Sequence, residues 1–315
     1  MSRLTFPDAP GDLIGAHIST KGGLHTIFER ASAIGASAAA LFAKNSNQWK
    51  GKTLTDEDCA TFTSQRNVTP LLTHASYLIN LSTTNAEFHR KSIAAMVDEL
   101  DRAERLGIHA VVLHPGAHMG AGPDAAVDQI ARSLDQVHAA IPDHRVVTLL
   151  ETSAGQGSCV GCTFEELGRM IKLVDDPKRV GICFDTCHVF AAGYELRTRD
   201  AYERTIDEMI RHVGLENVGA FHLNDSKKGL GLSRRSPPAH RRRRARTRAL
   251  PLPPQRPALR AHPQGHRDTE DRGDDQRPAE PAGTAIAGWG VEKSQSRKVA
   301  REKTRGEPRS ISLRL

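Results

Sequence analysis

The chain has 315 residues, 38% of them hydrophobic and 26% charged, too long for a small disulfide-stapled module and long enough for one large barrel or two domains. No stretch approaches the ~18–20 consecutive apolar residues of a membrane helix, the N-terminal MSRLTFPDAPGD lacks the apolar core of a secretory leader, and an odd count of five cysteines argues against a disulfide framework. A cytoplasmic protein with no membrane partner is expected.

Taken in order, apolar runs at 13–18, 37–42, 70–74, 110–114, 146–151, 180–185 and 218–223 read as short strands. Between them, apolar residues at helical spacing predict helices, clearest over 86–106, 124–140, 164–174 and 199–212. In the first of these, Ile93, Met96, Val97, Leu100, Ala103 and Leu106 step by three and four along one face, and Gly107 follows as a stop. The strands lack polar alternation, which indicates burial on both faces, as in a parallel sheet covered by helices. Seven strands alternating with helices favour the α/β class, and a TIM-type (β/α)8 barrel over an open doubly wound sheet.

After Gly231 the character changes. Residues 1–231 hold 23 basic and 28 acidic residues, whereas 232–315 hold 21 basic and 9 acidic. That second segment also carries 10 of the 17 prolines, no Phe or Tyr, and only 10 residues of Leu, Ile and Val, under the ~20% apolar content at which a charged chain usually folds. No eighth strand is evident there. The best apolar stretch is 283–291, GTAIAGWGV, whose glycines and alanines give it poor strand propensity. The expected organisation is an incomplete barrel domain over 1–231, with two sheet edges unpaired, and a disordered, basic, Pro/Arg-rich tail over 232–315.

Side chains able to ligate a metal close five successive predicted strands. His74 ends the third, His114 the fourth, Glu151 the fifth and Asp185 the sixth, while His222 lies in the last turn of the seventh. His188 follows Asp185 by three residues. A lone histidine at a strand end is ordinarily a core or capped residue, but in a barrel all these positions open on the same C-terminal face. Imidazole and carboxylate without thiolate suit zinc, manganese or iron, and a carboxylate can bridge two ions. Closely spaced ions serve phosphoryl transfer. Cys159–Cys162 and Cys183–Cys187 come near a zinc-ribbon spacing. Cys183 and Cys187, however, flank the Asp185 strand end, which favours core packing for them and a loop position for Cys159 and Cys162.

The segments GAHISTKGG (15–23), LTHASYLINL (72–81), LHPGAH (113–118), LLETSAGQGS (149–158), CFDTCHVFAAGYELRT (183–198) and FHLNDSKKGLG (221–231) closely resemble the endonuclease IV family, the zinc-dependent apurinic/apyrimidinic (AP) endonucleases of base-excision repair. The resemblance spans about residues 12–231 and implies an α/β barrel with three zinc ions. It implies that His74, His114 and Glu151 hold the first zinc, that Glu151 bridges to a second held also by Asp185 and His222, and that His188 binds the third. It further implies Glu151 as a catalytic group in cleaving the phosphodiester 5′ to an abasic site, leaving a 3′-hydroxyl and a 5′-deoxyribose phosphate. DNA containing abasic sites is the implied partner of a monomer. Tyr77 matches a residue packed at the DNA gap. The turn 45–49, NSNQW, matches a DNA-probing loop, with Asn47 where some relatives have arginine, and Lys44 or Lys50 beside it as phosphate contacts.

Family members continue with an Asp-x-His pair and an eighth strand ending in a glutamate ligand, and 232–315 contain neither. A reading-frame shift near 231–233 of a GC-rich gene gives such Arg-, Pro- and Ala-rich sequence; a lineage-specific basic tail is the alternative. The second zinc would then lack one ligand, the third would keep only His188, and activity would be impaired. Two other readings remain: a metal-dependent sugar isomerase or epimerase on the same barrel, and a non-catalytic product whose basic tail binds nucleic-acid phosphates.

Overall fold

The structure, a computed structural model, describes residues 13–227 and 229–232 and the backbone of 285–288. All seven expected strands form: β1 (Leu13–His17), β2 (Ala38–Leu41), β3 (Leu71–His74), β4 (Ala110–Leu113), β5 (Val147–Glu151), β6 (Val180–Asp185) and β7 (Val218–Leu223). Helices α1 (Thr26–Ala33), α2 (Asp56–Ser64), α3 (Ala86–Arg105), α4 (Pro123–Ala140), α5 (Phe164–Leu173), α6 (Thr186–Ala192) and α7 (Arg199–His212) connect them. No helix among the described residues is long and apolar enough to cross a membrane.

The helices start where capping chemistry allows. Asn85 accepts hydrogen bonds from the amides of Glu87 and Phe88 at the head of α3, and Thr55 and Asp58 form a reciprocal capping box on α2. The stripe on α3 turns inward, with Met96, Leu100 and Ala103 buried and Ile93 and Val97 packed at its margin. Gly107, at φ 61°, takes the left-handed conformation that ends this helix.

The strands β1 to β7 pair in sequence order, each parallel to the next. Alternate residues serve two layers. Ala40, Leu72, Val112, Leu149, Cys183 and Ala220 pack together inside the barrel, while Leu41, Leu71, Val111, Leu150 and Ile182 belong to the larger core beneath the helices. Burial on both faces is the reason these strands read as unbroken apolar runs. Because all seven run the same way, every strand's C-terminal end lies on one rim.

Two expectations are corrected at the eighth position. The barrel is closed, by β8 (Ala285–Gly288), which pairs antiparallel with both β1 and β7. No sheet edge of the barrel is therefore left open, and the segment 232–315 is not wholly a tail, since β8 belongs to the same compact unit as β1–β7. The strand comes from the weak apolar stretch 283–291. Edge backbone on β1 and β7 offers hydrogen bonds to any extended segment, and that outweighs the low strand propensity of alanine and glycine. Apart from 232 and 285–288, the segment 232–315, and with it the rest of the expected disordered tail, lies outside the described residues.

Candidate metal centre

The rim collects the side chains that the strand ends deliver. His74, Glu151 and Asp185 are the last residues of β3, β5 and β6, His114 is the first after β4, and His222 is the penultimate residue of β7. Strand register sets Asp185 opposite His222. His188 reaches the same place by a different route. The Asp185 carboxylate caps α6 by accepting the His188 amide at 2.8 Å, so the helix starts with His188 on the inner side of its first turn.

Glu151 is the hub. Its Oε2 lies 3.1 Å from His74 Nε2 and 3.2 Å from His114 Nε2, and its Oε1 lies 2.8 Å from His222 Nδ1 and 3.7 Å from His188 Nδ1. Asp185 stands 3.9 Å from both His188 Nδ1 and His222 Nδ1. Three sets of potential ligand atoms, all within 4.8 Å of one another in each set, share Glu151: with His74 and His114, with Asp185 and His188, and with His222 and Cys183. All six residues singled out in the sequence thus meet at one point. Cys183 joins them only from below, as part of the packed barrel interior; burial pushes its thiol well above its usual pKa.

Backbone partners fix which ring nitrogen is available. His74 Nδ1 donates to the Ala75 carbonyl at 2.9 Å and His188 Nδ1 to the Thr152 carbonyl at 2.8 Å, which makes Nε2 the nitrogen through which each ring would bind a metal, once His74 Nε2 gives up the proton it shares with Glu151. The Asn224 side-chain amide donates to Asp185 Oδ2 at 2.7 Å, and the Thr152 hydroxyl accepts the Asp185 amide. His222 Nε2 is buried without a hydrogen-bond partner.

Glu151 and His114 sit in the protonation states that ligation needs, whereas burial would lower His74 but its hydrogen bond to Glu151 raises it. Burial would raise the Glu151 carboxyl, but His114 beside it and hydrogen bonds from His222 and His74 hold it well below the usual carboxylate range. Burial pushes His114 down, toward the neutral imidazole that binds metals. Asp185 is raised by burial, a cost that a cation alongside it would offset.

Among the expected DNA contacts, Tyr77 stands 54% exposed at the edge of the cluster, its ring centroid 5.4 Å from that of His74 and 6.0 Å from that of His114. Asn47 is exposed in the turn after β2, its amide donating to Asn45 Oδ1. Lys44 is corrected. Its side chain is 1% exposed and its Nζ lies 2.6 Å from Asp98 and 3.4 Å from Glu99, so its charge neutralises two carboxylates of α3 and no phosphate can reach it. Lys50 is exposed in the same turn.

His17 belongs to this group although it was not singled out. It ends β1, its ring packs 4.5 Å from that of Phe42, and its Nε2 is buried without a partner. Burial, then the neighbouring His74 and His222, lowers its pKa to about 4. The signal was present in the motif GAHIST, since His17 closes its strand as His74 closes β3.

The family model described as a xylose isomerase-like TIM barrel matches residues 28–288. The probable endonuclease 4 of Geobacter sulfurreducens is 43% identical over 222 residues, covering 70% of this chain and 75% of that protein. That of Chloroflexus aggregans is 44% identical over 220 residues, covering 69% and 77%. Among solved structures, endonuclease IV from Thermus thermophilus superposes with a TM-score of 0.60 at 36% identity, covering 69% of this chain and 78% of that one. A D-tagatose 3-epimerase-like protein superposes with a TM-score of 0.53 at 19% identity, covering 66% and 75%, a likeness of fold alone.

Proposed function

The chain belongs to the endonuclease IV family of AP endonucleases, hydrolases of DNA repair, and on that premise we propose that it incises DNA 5′ to abasic sites with zinc held around Glu151. The observation that carries this reading is the approach of three imidazole nitrogens to within 2.8–3.2 Å of the two oxygens of one buried carboxylate. The donor set fits zinc: four imidazoles, of which His114 is driven toward neutrality by burial, an ionised Glu151, Asp185, and a buried His222 Nε2 without a hydrogen-bond partner. His74, His114 and Glu151 would hold the first ion, and Glu151, Asp185 and His222 the second. Zinc bound there supplies Lewis-acid polarisation of a phosphodiester and lowers the pKa of an attacking water.

The chain's own groups do the rest. Glu151, accepting from His74 and His222, keeps its two oxygens splayed toward separate positions. The Asn224 and Thr152 contacts hold Asp185 and β6 against β5 and β7. Tyr77, exposed beside His74, offers an aromatic face on which a base or sugar next to the lesion can pack. The exposed turn bearing Asn47 and Lys50 offers backbone amides and one charge to phosphate. The products would be a 3′-hydroxyl and a 5′-deoxyribose phosphate.

The site is incomplete. After Gly231 the chain lacks the family's Asp-x-His pair and closing glutamate, so the second zinc lacks a ligand and the third keeps His188 alone. The epimerase reading draws on a similar barrel, but its structural neighbours share fold alone, whereas the nuclease relatives share 43–44% of residues across the aligned region.

The test is incision of a 5′-labelled duplex with one abasic site, by this chain and by a version restored to the family pattern after Gly231. Both should give an extendable 3′-hydroxyl, the restored version at least ~100-fold faster, and Glu151→Gln should abolish incision in each. Equal rates would overturn the loss of ligands, and epimerisation of a free ketose without incision would overturn the nuclease reading.

A further inference from the structure

The loop that follows Glu151 carries a feature the metal centre does not use. Cys159 and Cys162 place their Sγ atoms 3.2 Å apart, both half-buried, and the Cys162 thiol also lies 3.2 Å from the Cys159 carbonyl. The spacing of two residues brings them together because of what stands between. Val160 is fully buried and anchors the loop. Gly161 has φ +81°, and a Cβ there would come within 2.8 Å of Pro115 Cγ, so glycine is required for the chain to turn back at that point.

The backbone on either side is held from several directions. Cys159 bridges Ala117 of the preceding loop, the Val160 amide donates to the Gly116 carbonyl at 3.0 Å, and the His118 amide donates to the Ser158 carbonyl at 2.8 Å. The Gly161 and Cys162 amides both donate to Glu166 Oε2 on α5, at 2.8 and 2.9 Å. The two sulfurs are therefore preorganised, with no loop rearrangement needed to bring them into contact. The other cysteines differ. Cys183 is buried, and no thiol partner lies beside Cys59 or Cys187 among the described residues.

We propose that Cys159 and Cys162 form a reactive dithiol that exchanges with low-molecular-weight disulfides and closes into an intramolecular disulfide. Cys159 is the entering nucleophile. A hydrogen bond from the Cys162 thiol, with added help from the backbone at Gly155 and Gln156, lowers its pKa to about 7, whereas Cys162 is raised. In the first step the Cys159 thiolate attacks one sulfur of the external disulfide, whose S–S bond breaks to release one thiolate. In the second, Cys162 gives up its proton to solvent and attacks Cys159 Sγ, expelling the other thiol. The external disulfide is reduced to two thiols, and the protein dithiol loses two electrons and two protons. The clamp would lie in the loop leaving β5, whose Ser153 amide donates to the Gly161 carbonyl at 2.8 Å.

The test uses the full chain treated with oxidised glutathione, with each cysteine followed by mass spectrometry of peptides. The Cys159–Cys162 disulfide should form at least ~10-fold faster than glutathione adducts on Cys59 or Cys187. Cys162→Ser should instead trap one stable adduct at Cys159, and Cys159→Ser should give none at Cys162 on the same timescale. Phenylarsine oxide, which spans two adjacent thiols, should be captured once by the unaltered chain and by neither variant. Adducts accumulating first on Cys59 or Cys187, an unresolved adduct on each of the pair, or arsenical bound equally by the variants would overturn the proposal.

Discussion

His138, in the last turn of α4, is a buried imidazole with neither ring nitrogen hydrogen-bonded. Burial, reinforced by the Arg179 charge beside it, lowers its pKa from 6.5 to about 4. In the unfolded chain the same imidazole protonates near its ordinary value. Unfolding therefore takes up a proton between those two pH values, and stability is full above about pH 6.5 and falls as the pH drops toward 4. Because His17 and His114 are lowered in the same way, denaturant unfolding should show a loss between pH 7 and pH 5 that shrinks by about 2 kcal/mol in His138→Leu; equal losses would mean His138 is not a proton acceptor. This burial is legible only in part, because His138 sits on an apolar stripe but nothing in its neighbours marks Arg179, 41 residues on, as its companion. The rim residues His74, His114, Glu151, Asp185 and His222 were readable for the opposite reason, since each lies at the end of a strand that the apolar run itself delimits. Lys44 was misread because proximity to an exposed turn says nothing of Asp98 and Glu99, which only tertiary packing brings to it.

Elements follow the same rule. The seven parallel strands and the four long helices were legible because burial on two faces, or on one helical stripe, leaves its period in the sequence. Helices α1, α2 and α6 span 8, 9 and 7 residues, too short for the period to repeat, and α6 depends on a cap supplied by Asp185. The strand β8 was expected to be missing because Ala-Ile-Ala-Gly carries no propensity, and nothing in four residues encodes an antiparallel direction. Its register sets Ile286 opposite Gly15 on one side and His222 on the other. Ile286→Pro removes a backbone donor between two neighbours, and should lower stability by about 2–3 kcal/mol and loosen the strand that carries His222. An unchanged unfolding midpoint would mean that β8 does not hold the barrel closed.

Across the whole molecule, charge poses a problem that a metal held at the rim would answer. Residues 1–231 are net acidic, with 28 acidic and 23 basic residues, and the rim gathers Glu151 and Asp185 beside His114, whose imidazole burial drives toward neutrality. Such a surface repels a phosphodiester unless cations sit in it, because bound divalent ions are the largest local charges and reverse the sign of the field. The account therefore stands on metal held by these side chains. The most direct measurement is the zinc content of the dialysed chain beside that of Glu151→Gln, with circular dichroism to confirm that both are folded. The account predicts about two zinc ions per chain, and loss of at least about one in the variant, whose amide is a poorer metal ligand than the carboxylate. A folded chain that retains no zinc, or retains the same amount with Gln at 151, would contradict it.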